Sequence, residues 1–268
     1  MAKITSDKYY TPIDVANHCW DKVNEIIGLD NISEIIEPSC GNGSFFHYDL
    51  RKPDFGIDII PDWEEDNIFK SDFIEMVFSY KKNRLIIGNP PYGDKMSLAQ
   101  KFYRKAVEIG DYIAFILPIS QLNNTQSLYQ FDLIYSEDIG THTYTDRKLH
   151  CCLNIYKRPD NGILNGKPKN KIKGITIKRK YNKGYDEMDC DIRICGWGDG
   201  TAGKILSEGE SYAEEYKIKI DENCEKREEI IQYLKSFDWK KFLSCIAMRK
   251  IQIHHIVKIL KEQFPDLE

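Results

Sequence analysis

The chain has 268 residues, 41% hydrophobic and 30% charged, enough to bury one sizeable core with a smaller appendage. No apolar run approaches the roughly 20 residues that span a bilayer. Residues 1–7 hold no hydrophobic leader, so a soluble protein of the intracellular, cytoplasmic compartment is expected. The net charge of -4 hides an uneven distribution: residues 1–146 carry 23 acids against 13 Lys or Arg, and residues 147–185 carry 12 Lys or Arg against Asp160 alone. Such a block is the footprint of a polyanion contact, or of a solvated loop. The eight cysteines lack the Cys-x-x-Cys spacing of a zinc pair, so free thiols and no metal are expected.

In chain order, residues 13–27 read as a helix after Thr11-Pro12, with Val15, Cys19, Val23 and Ile26 on one face. Residues 33–37 read as a short buried strand running into Pro38 and a glycine turn, after which Ser44 opens a short helix. Strands follow at 55–60 and 85–88, a helix at 97–109, a strongly apolar strand at 112–117, and further strands around Ile134-Tyr135 and 153–156. Alternation of this kind favours an α/β domain with a mostly parallel sheet covered by helices. Past Pro159 the pattern changes to short alternating runs at 171–179, 191–195 and 216–220, then to helical periodicity from Arg227 through Ile246 to Leu260. The expected organisation is a catalytic domain at 1–159 and, at 160–268, a small β-rich region followed by C-terminal helices.

Four segments carry chemistry. The loop Glu37-Pro38-Ser39-Cys40-Gly41-Asn42-Gly43 at a strand exit lets a ligand approach backbone atoms. It lacks both the third glycine of the dinucleotide fingerprint and the Gly-Lys-Ser/Thr ending of a P-loop, which disfavours pyrophosphate. Asp58 stands where a second strand places a carboxylate over a ribose. Asp72 offers an acceptor to a purine amino group and Phe73 an apolar face for it, although either acid also serves as an ordinary cap. In Asn89-Pro90-Pro91-Tyr92, two prolines remove two backbone donors and leave the Asn89 amide oxygen and the Pro90 carbonyl as adjacent acceptors, with Tyr92 free to stack on a planar heterocycle.

These residues, in this order, resemble the DNA adenine-N6 methyltransferases that use S-adenosylmethionine, with the gamma-like order of motifs. The resemblance covers residues 9 to about 158. It implies a mostly parallel, seven-stranded Rossmann-like sheet with helices on both faces, and a small C-terminal recognition region. On that likeness Tyr10, Thr11 and Pro12 lie near the cofactor's methionine, Glu37, Pro38, Ser39, Gly41 and Gly43 form the glycine loop, Asp58 meets the ribose with Ile59 beside it as a further cofactor contact, and Asp72-Phe73 recognise the cofactor's adenine. Asn89 also touches the cofactor while Asn89, Pro90, Pro91 and Tyr92 hold a flipped target adenine. The implied partners are duplex DNA with a short adenine-containing site and a companion restriction nuclease. Lys167, Lys169, Lys171, Lys173, Lys178, Arg179, Lys180 and Lys183 are candidate phosphate contacts, and Arg193 a candidate for a base edge, since Arg binds guanine bidentately. Methylation of a protein glutamine, methylation of RNA adenine, and a catalytically inactive DNA-binding protein of the same fold stand as alternatives.

Overall fold

A computed structural model describes residues 9–198, 200–244 and 250–267. Residues 1–7 and Ile246, both used in the reading above, lie outside the described residues. Two compact units divide after Pro168. The expected boundary at Pro159 falls earlier because the next residues stay with the first unit: Asn165 donates its backbone N–H to the Gln130 carbonyl at 2.9 Å and its side-chain amide to Asp132 at 2.8 Å.

The first unit is built on strands β1 (Glu34–Glu37), β2 (Phe55–Asp58), β3 (Ile68–Lys70), β4 (Arg84–Gly88), β5 (Tyr112–Pro118), β6 (Asp132–Tyr144) and β7 (Arg147–Lys157). They form one sheet in the order β3-β2-β1-β4-β5-β7-β6. The first five run parallel, and β7 runs antiparallel to both neighbours. The sheet is Rossmann-like, mostly parallel and mixed at one edge. Helices α1 (Ile13–Ile26) and α2 (Ser97–Ile109) cover its two faces.

Period-two alternation explains how one strand serves both faces. Leu85 and Ile87 of β4, with Ala114 and Ile116 of β5, pack against Val15, Cys19, Trp20 and Val23 of α1. Their neighbours Ile86, Ile113 and Phe115 pack against Phe102, Tyr103 and Ala106 of α2. Every one of those strand residues is at most 1% exposed, and each buried Ile or Leu contributes about 1.5–3 kcal/mol. Cys151 and Cys152 of β7 divide between the two faces in the same way. The strand β3 escaped the sequence reading because its three residues, Ile68-Phe69-Lys70, are partly exposed and make no alternating run.

The second unit has a three-stranded antiparallel sheet in the order β8 (Ile175–Arg179), β10 (Glu215–Ile220), β9 (Ile192–Cys195). One face buries Ile175, Ile192, Ile194, Tyr216, Ile218 and Ile220 against Ile230 and Leu234 of α3 (Arg227–Ser236) and Ile256 and Leu260 of α5 (Ile253–Gln263). The short α4 (Trp239–Ser244) adds Trp239 to this core.

Candidate active site

Loops at the carboxyl ends of the parallel strands gather the residues singled out above. The β4 strand ends at Gly88 and delivers Asn89, whose side-chain amide donates to Thr11 Oγ1 at 3.2 Å. The Asn89 amide oxygen accepts from the Tyr92 hydroxyl at 3.0 Å, and Ser39 Oγ of the glycine loop donates to the Asn89 backbone carbonyl at 3.1 Å. Three segments far apart in sequence therefore meet at one asparagine. Pro90 is buried, Pro91 half-buried, and no hydrogen bond reaches the Pro90 carbonyl from a described residue. The Tyr92 carbonyl accepts from the N–H groups of Leu98 at 3.1 Å and Ala99 at 3.4 Å, which ties this turn to the start of α2.

Tyr92 departs from expectation. An outward ring for stacking is the sequence reading, whereas the ring packs against the α2-side core and its hydroxyl is 3.5 Å from Cys151 Sγ. Burial, with the nearby Cys151, pushes the Tyr92 hydroxyl far above its ordinary pKa, so it stays neutral and able to donate. The Cys151 thiol is likewise raised by burial, though Tyr92 and Tyr144 counteract part of that rise. Nothing in the sequence singles out Cys151, because its partner lies on another strand end.

The glycine loop differs too. Gly41 and Gly43 adopt left-handed backbone, φ +49° and +76°. The space above them is filled from within the protein: a Cβ on Gly41 would lie 3.3 Å from the Tyr10 ring, and one on Gly43 2.6 Å from the Trp63 ring. The side-chain space at both glycines is thus taken by aromatic rings of the chain itself. Trp63 and Asp62 are additions to the sequence list. The Asp62 N–H donates to the Gly41 carbonyl at 2.9 Å, and Tyr10 hydrogen-bonds the Asp62 carboxylate.

At the β2 exit, Asp58 accepts from Gly41 N at 2.9 Å and from Ile60 N at 2.8 Å, so each oxygen keeps one lone pair. Beside it Ile59 is 56% and Ile60 46% exposed, an uncovered apolar surface suited to a flat ring. The Asp58 carbonyl accepts from Ser71 N at 2.9 Å, bringing Asp72 to the same edge. Asp72 caps its own turn through Ile74 N at 2.9 Å. Phe73 does not offer its face to a ligand: it is 1% exposed and packed between Phe78 and Phe102.

Glu37 is the most informative group of the site. It is 2% exposed, and its Oε2 has no partner among the described residues. Burial first, and the charge of Asp58 second, raise its pKa well above the usual carboxylate range. A buried, orphaned carboxylate at a strand exit fits an incoming ammonium group, which would satisfy the oxygen and restore the ionised form. The α-amino group of S-adenosylmethionine has that chemistry.

Part of the basic block is engaged by partners within the chain. Arg158 is bound by Asp111 at 2.7 Å and by the Val107 and Gly110 carbonyls. Arg179 pairs with Glu214 at 2.7 Å, and Lys180 donates to Ser211 and the Tyr212 carbonyl. Arg193, expected at a base edge, is committed to Glu215 at 3.1 Å and to the Ser207 and Glu210 carbonyls. Its guanidinium is used in holding β9 to the neighbouring loop. Lys178 donates to the Gly184 carbonyl at 2.9 Å. Lys167, Lys169, Lys171, Lys173 and Lys183 are exposed.

The strand order, with an antiparallel strand inserted next to β5, is that of the class I methyltransferases, the fold of enzymes that use S-adenosylmethionine. No family model and no curated protein matches the sequence. Among solved structures the chain is similar to a provisionally named RNA methyltransferase from Pyrococcus horikoshii, at 15% identity and TM-score 0.44 over 57% of this chain and 87% of that one. It is similar to the 23S rRNA methyltransferase ErmE at 11% identity and TM-score 0.41, over 59% and 72% of the two chains. A third likeness is to magnesium protoporphyrin IX methyltransferase from Synechocystis PCC 6803 with bound S-adenosylmethionine, at 10% identity and TM-score 0.38 over 55% and 81%. The fold assignment rests on the order and direction of the strands.

Proposed function

We propose that the protein is a methyltransferase dependent on S-adenosylmethionine that methylates N6 of adenine in DNA. One observation carries this reading: Thr11, Ser39 and Tyr92 all bond to Asn89 at the exit of β4, beside the orphaned carboxylate of Glu37. Glu37 would hold the cofactor's ammonium, Asp58 its ribose hydroxyls, and Ile59 with Asp72 its adenine. When bound, the cofactor supplies an electrophilic methyl group.

Adenine N6 is a weak nucleophile while its lone pair is delocalised into the ring. Acceptance of its two N–H bonds by the Asn89 amide oxygen and the Pro90 carbonyl favours the pyramidal nitrogen of the transition state and aims its lone pair. The Asn89 oxygen has one lone pair engaged by Tyr92 and one left for the substrate. No strong base is needed, because the proton leaves after methylation, when the nitrogen is cationic. Duplex adenine reaches such a pocket only when flipped, at a cost of a few kcal/mol that backbone contacts offset.

The test is transfer of a labelled methyl group to duplex DNA, to RNA and to a glutamine-containing protein in parallel, with product sequencing. N6-methyladenine in DNA is expected. Label in RNA or in a glutamine side chain alone would replace the substrate, and absence of both cofactor binding and transfer would remove the enzyme reading.

A further inference from the structure

The second unit carries a feature of its own on the sheet face opposite its core. Lys178 of β8, Lys217 of β10 and Arg193 of β9 stand directly opposite one another across the three strands. Like charges in directly paired positions oppose sheet formation. Arg193 is neutralised by Glu215. Lys178 and Lys217 are not: their ammonium groups are held by neutral carbonyls, Lys178 by Gly184 and Lys217 by Tyr185 at 2.9 Å, Asp186 at 3.3 Å and Met188 at 2.9 Å. Neither makes an ion pair with a described carboxylate. These two ammonium groups are fixed in position by carbonyls, with the Asp189 carboxylate close enough to Lys217 to feel its charge but not paired to it.

An open cleft of about 490 Å³ lies on this face, lined by Lys178, Lys183, Lys219 and Thr176, with Glu187 the acid on its wall. Lys219 pairs with the exposed Asp189 at 2.8 Å and, more loosely, with the buried carboxylate of Asp191 at 3.8 Å, and Lys183 is exposed with no ion pair to a described carboxylate. Among the residues lining the cleft three ammonium groups stand against the one carboxylate of Glu187, and the Thr176 hydroxyl adds a donor suited to an oxyanion. In the turn between Lys180 and Lys183 stands Tyr181, 83% exposed at φ +67°, with the Lys180 ammonium 5.6 Å from its ring centroid. A bulky residue in left-handed backbone is costly, and turning a bare ring to water gains nothing in the free protein. A bare phosphate or a lipid headgroup has no use for that ring, but a nucleotide base stacks on it.

We propose that this cleft and Tyr181 form a nucleic-acid site, in which Lys178, Lys183 and Lys219 hold backbone phosphates and Tyr181 stacks an unpaired base. The site shares its partner class with the reading above but does not depend on methyl transfer.

The test uses the full chain, with fluorescence anisotropy on labelled single-stranded and duplex oligonucleotides across a salt series, and calorimetry with S-adenosylmethionine on the same preparations. Tyr181→Gly relieves the left-handed backbone, so its melting temperature should rise by about 2–4 °C. Oligonucleotide binding should nonetheless weaken about tenfold through lost stacking. A residue with only a structural role would not move the two in opposite senses. Lys183→Gln should melt as wild type and lower the salt slope by about 0.7–0.9 per lost phosphate contact. Wild-type binding by Tyr181→Gly, an unchanged slope in Lys183→Gln, or no oligonucleotide binding by the wild type would overturn the site. So would inorganic pyrophosphate competing as strongly as the oligonucleotide. Cofactor binding that persists when oligonucleotide binding fails would sink this site and leave the methyltransferase reading standing; the converse result would do the reverse.

Discussion

Asn89 is held from both sides of its amide, and Asn89 and Tyr92 make separable predictions. Asn89→Ala removes an acceptor that matters only as N6 changes geometry, so single-turnover methyl transfer should fall by about 100-fold or more while cofactor affinity by calorimetry changes little. A ring-only role for Tyr92 would leave Tyr92→Phe active. Its bond to the Asn89 oxygen instead predicts a loss of about 5–30-fold in the transfer step with unchanged cofactor affinity, because the amide loses a fixed partner worth about 1–2 kcal/mol. Equal rates for wild type and Tyr92→Phe would return Tyr92 to a packing role.

Glu37 makes a prediction with a sign. Its folded-state pKa lies above its ordinary value of 4.5, so between the two the folded protein keeps a proton that the unfolded chain releases. Stability from this group is full below pH 4.5 and declines as pH rises through the folded value, by about 1.4 kcal/mol per unit across the window. Glu37→Gln should remove that decline and melt higher than wild type near pH 8. It should also weaken cofactor binding, since no anion remains for the ammonium. Thermal melts from pH 4 to 8, with and without S-adenosylmethionine, test both halves, and a wild-type pH slope in Glu37→Gln would exclude the raised carboxyl.

The β6–β7 hairpin does more than close the sheet. It runs past the end of β5, to which β7 is joined through residues 151–157 alone. At its tip Thr145 Oγ1 accepts from Tyr10 N at 2.9 Å, and Arg147 donates to the Tyr9 hydroxyl at 2.6 Å. The segment leading to Thr11 is thereby held in reach of Asn89. Lower on the hairpin, fully buried Asn154 accepts from Ser136 at 2.7 Å and donates to the Gln121 carbonyl at 2.8 Å and to Tyr156 at 2.9 Å. Asn154→Ala leaves several buried polar groups unpaired and should cost about 2–4 kcal/mol by urea unfolding. In the glycine loop, Gly43→Ala combines a left-handed backbone with a clash against Trp63 and should cost about 1–3 kcal/mol. A loss below about 0.5 kcal/mol would mean that Trp63 moves aside freely.

At the scale of the molecule, each unit has its own hydrophobic core, around α1 and α2 in one and α3 and α5 in the other. A chain comprising residues 1–168 should therefore unfold cooperatively and bind S-adenosylmethionine with near wild-type affinity, as every proposed cofactor residue lies within it. Loss of cofactor binding on this truncation would mean that the second unit completes the site.

Much of the first unit was legible in the sequence because its signals are local. Helix α2 begins and ends where the periodicity of residues 97–109 places it, and the turns that follow Glu37 and Gly88 are marked by glycine and proline. Order along the chain was enough to suggest a parallel sheet, since buried strands separated by helices have few other ways to pair. Long-range packing decided the rest. Phe73 looked like a ligand face and became core because Phe78 and Phe102 enclose it; Tyr92 turned inward because Cys151 lies on a strand that joins the sheet 59 residues later. The basic block looked continuous along the chain, but folding divided it between two units and spent Arg158 and Arg179 on acids, as it did Arg193 beyond the block. Lys217, outside that block, was set opposite Lys178 by strand pairing. Residue type and spacing fix which chemistry a chain carries, whereas burial and register, which depend on residues distant in sequence, determine which of those groups stay charged, unpaired and open to a ligand.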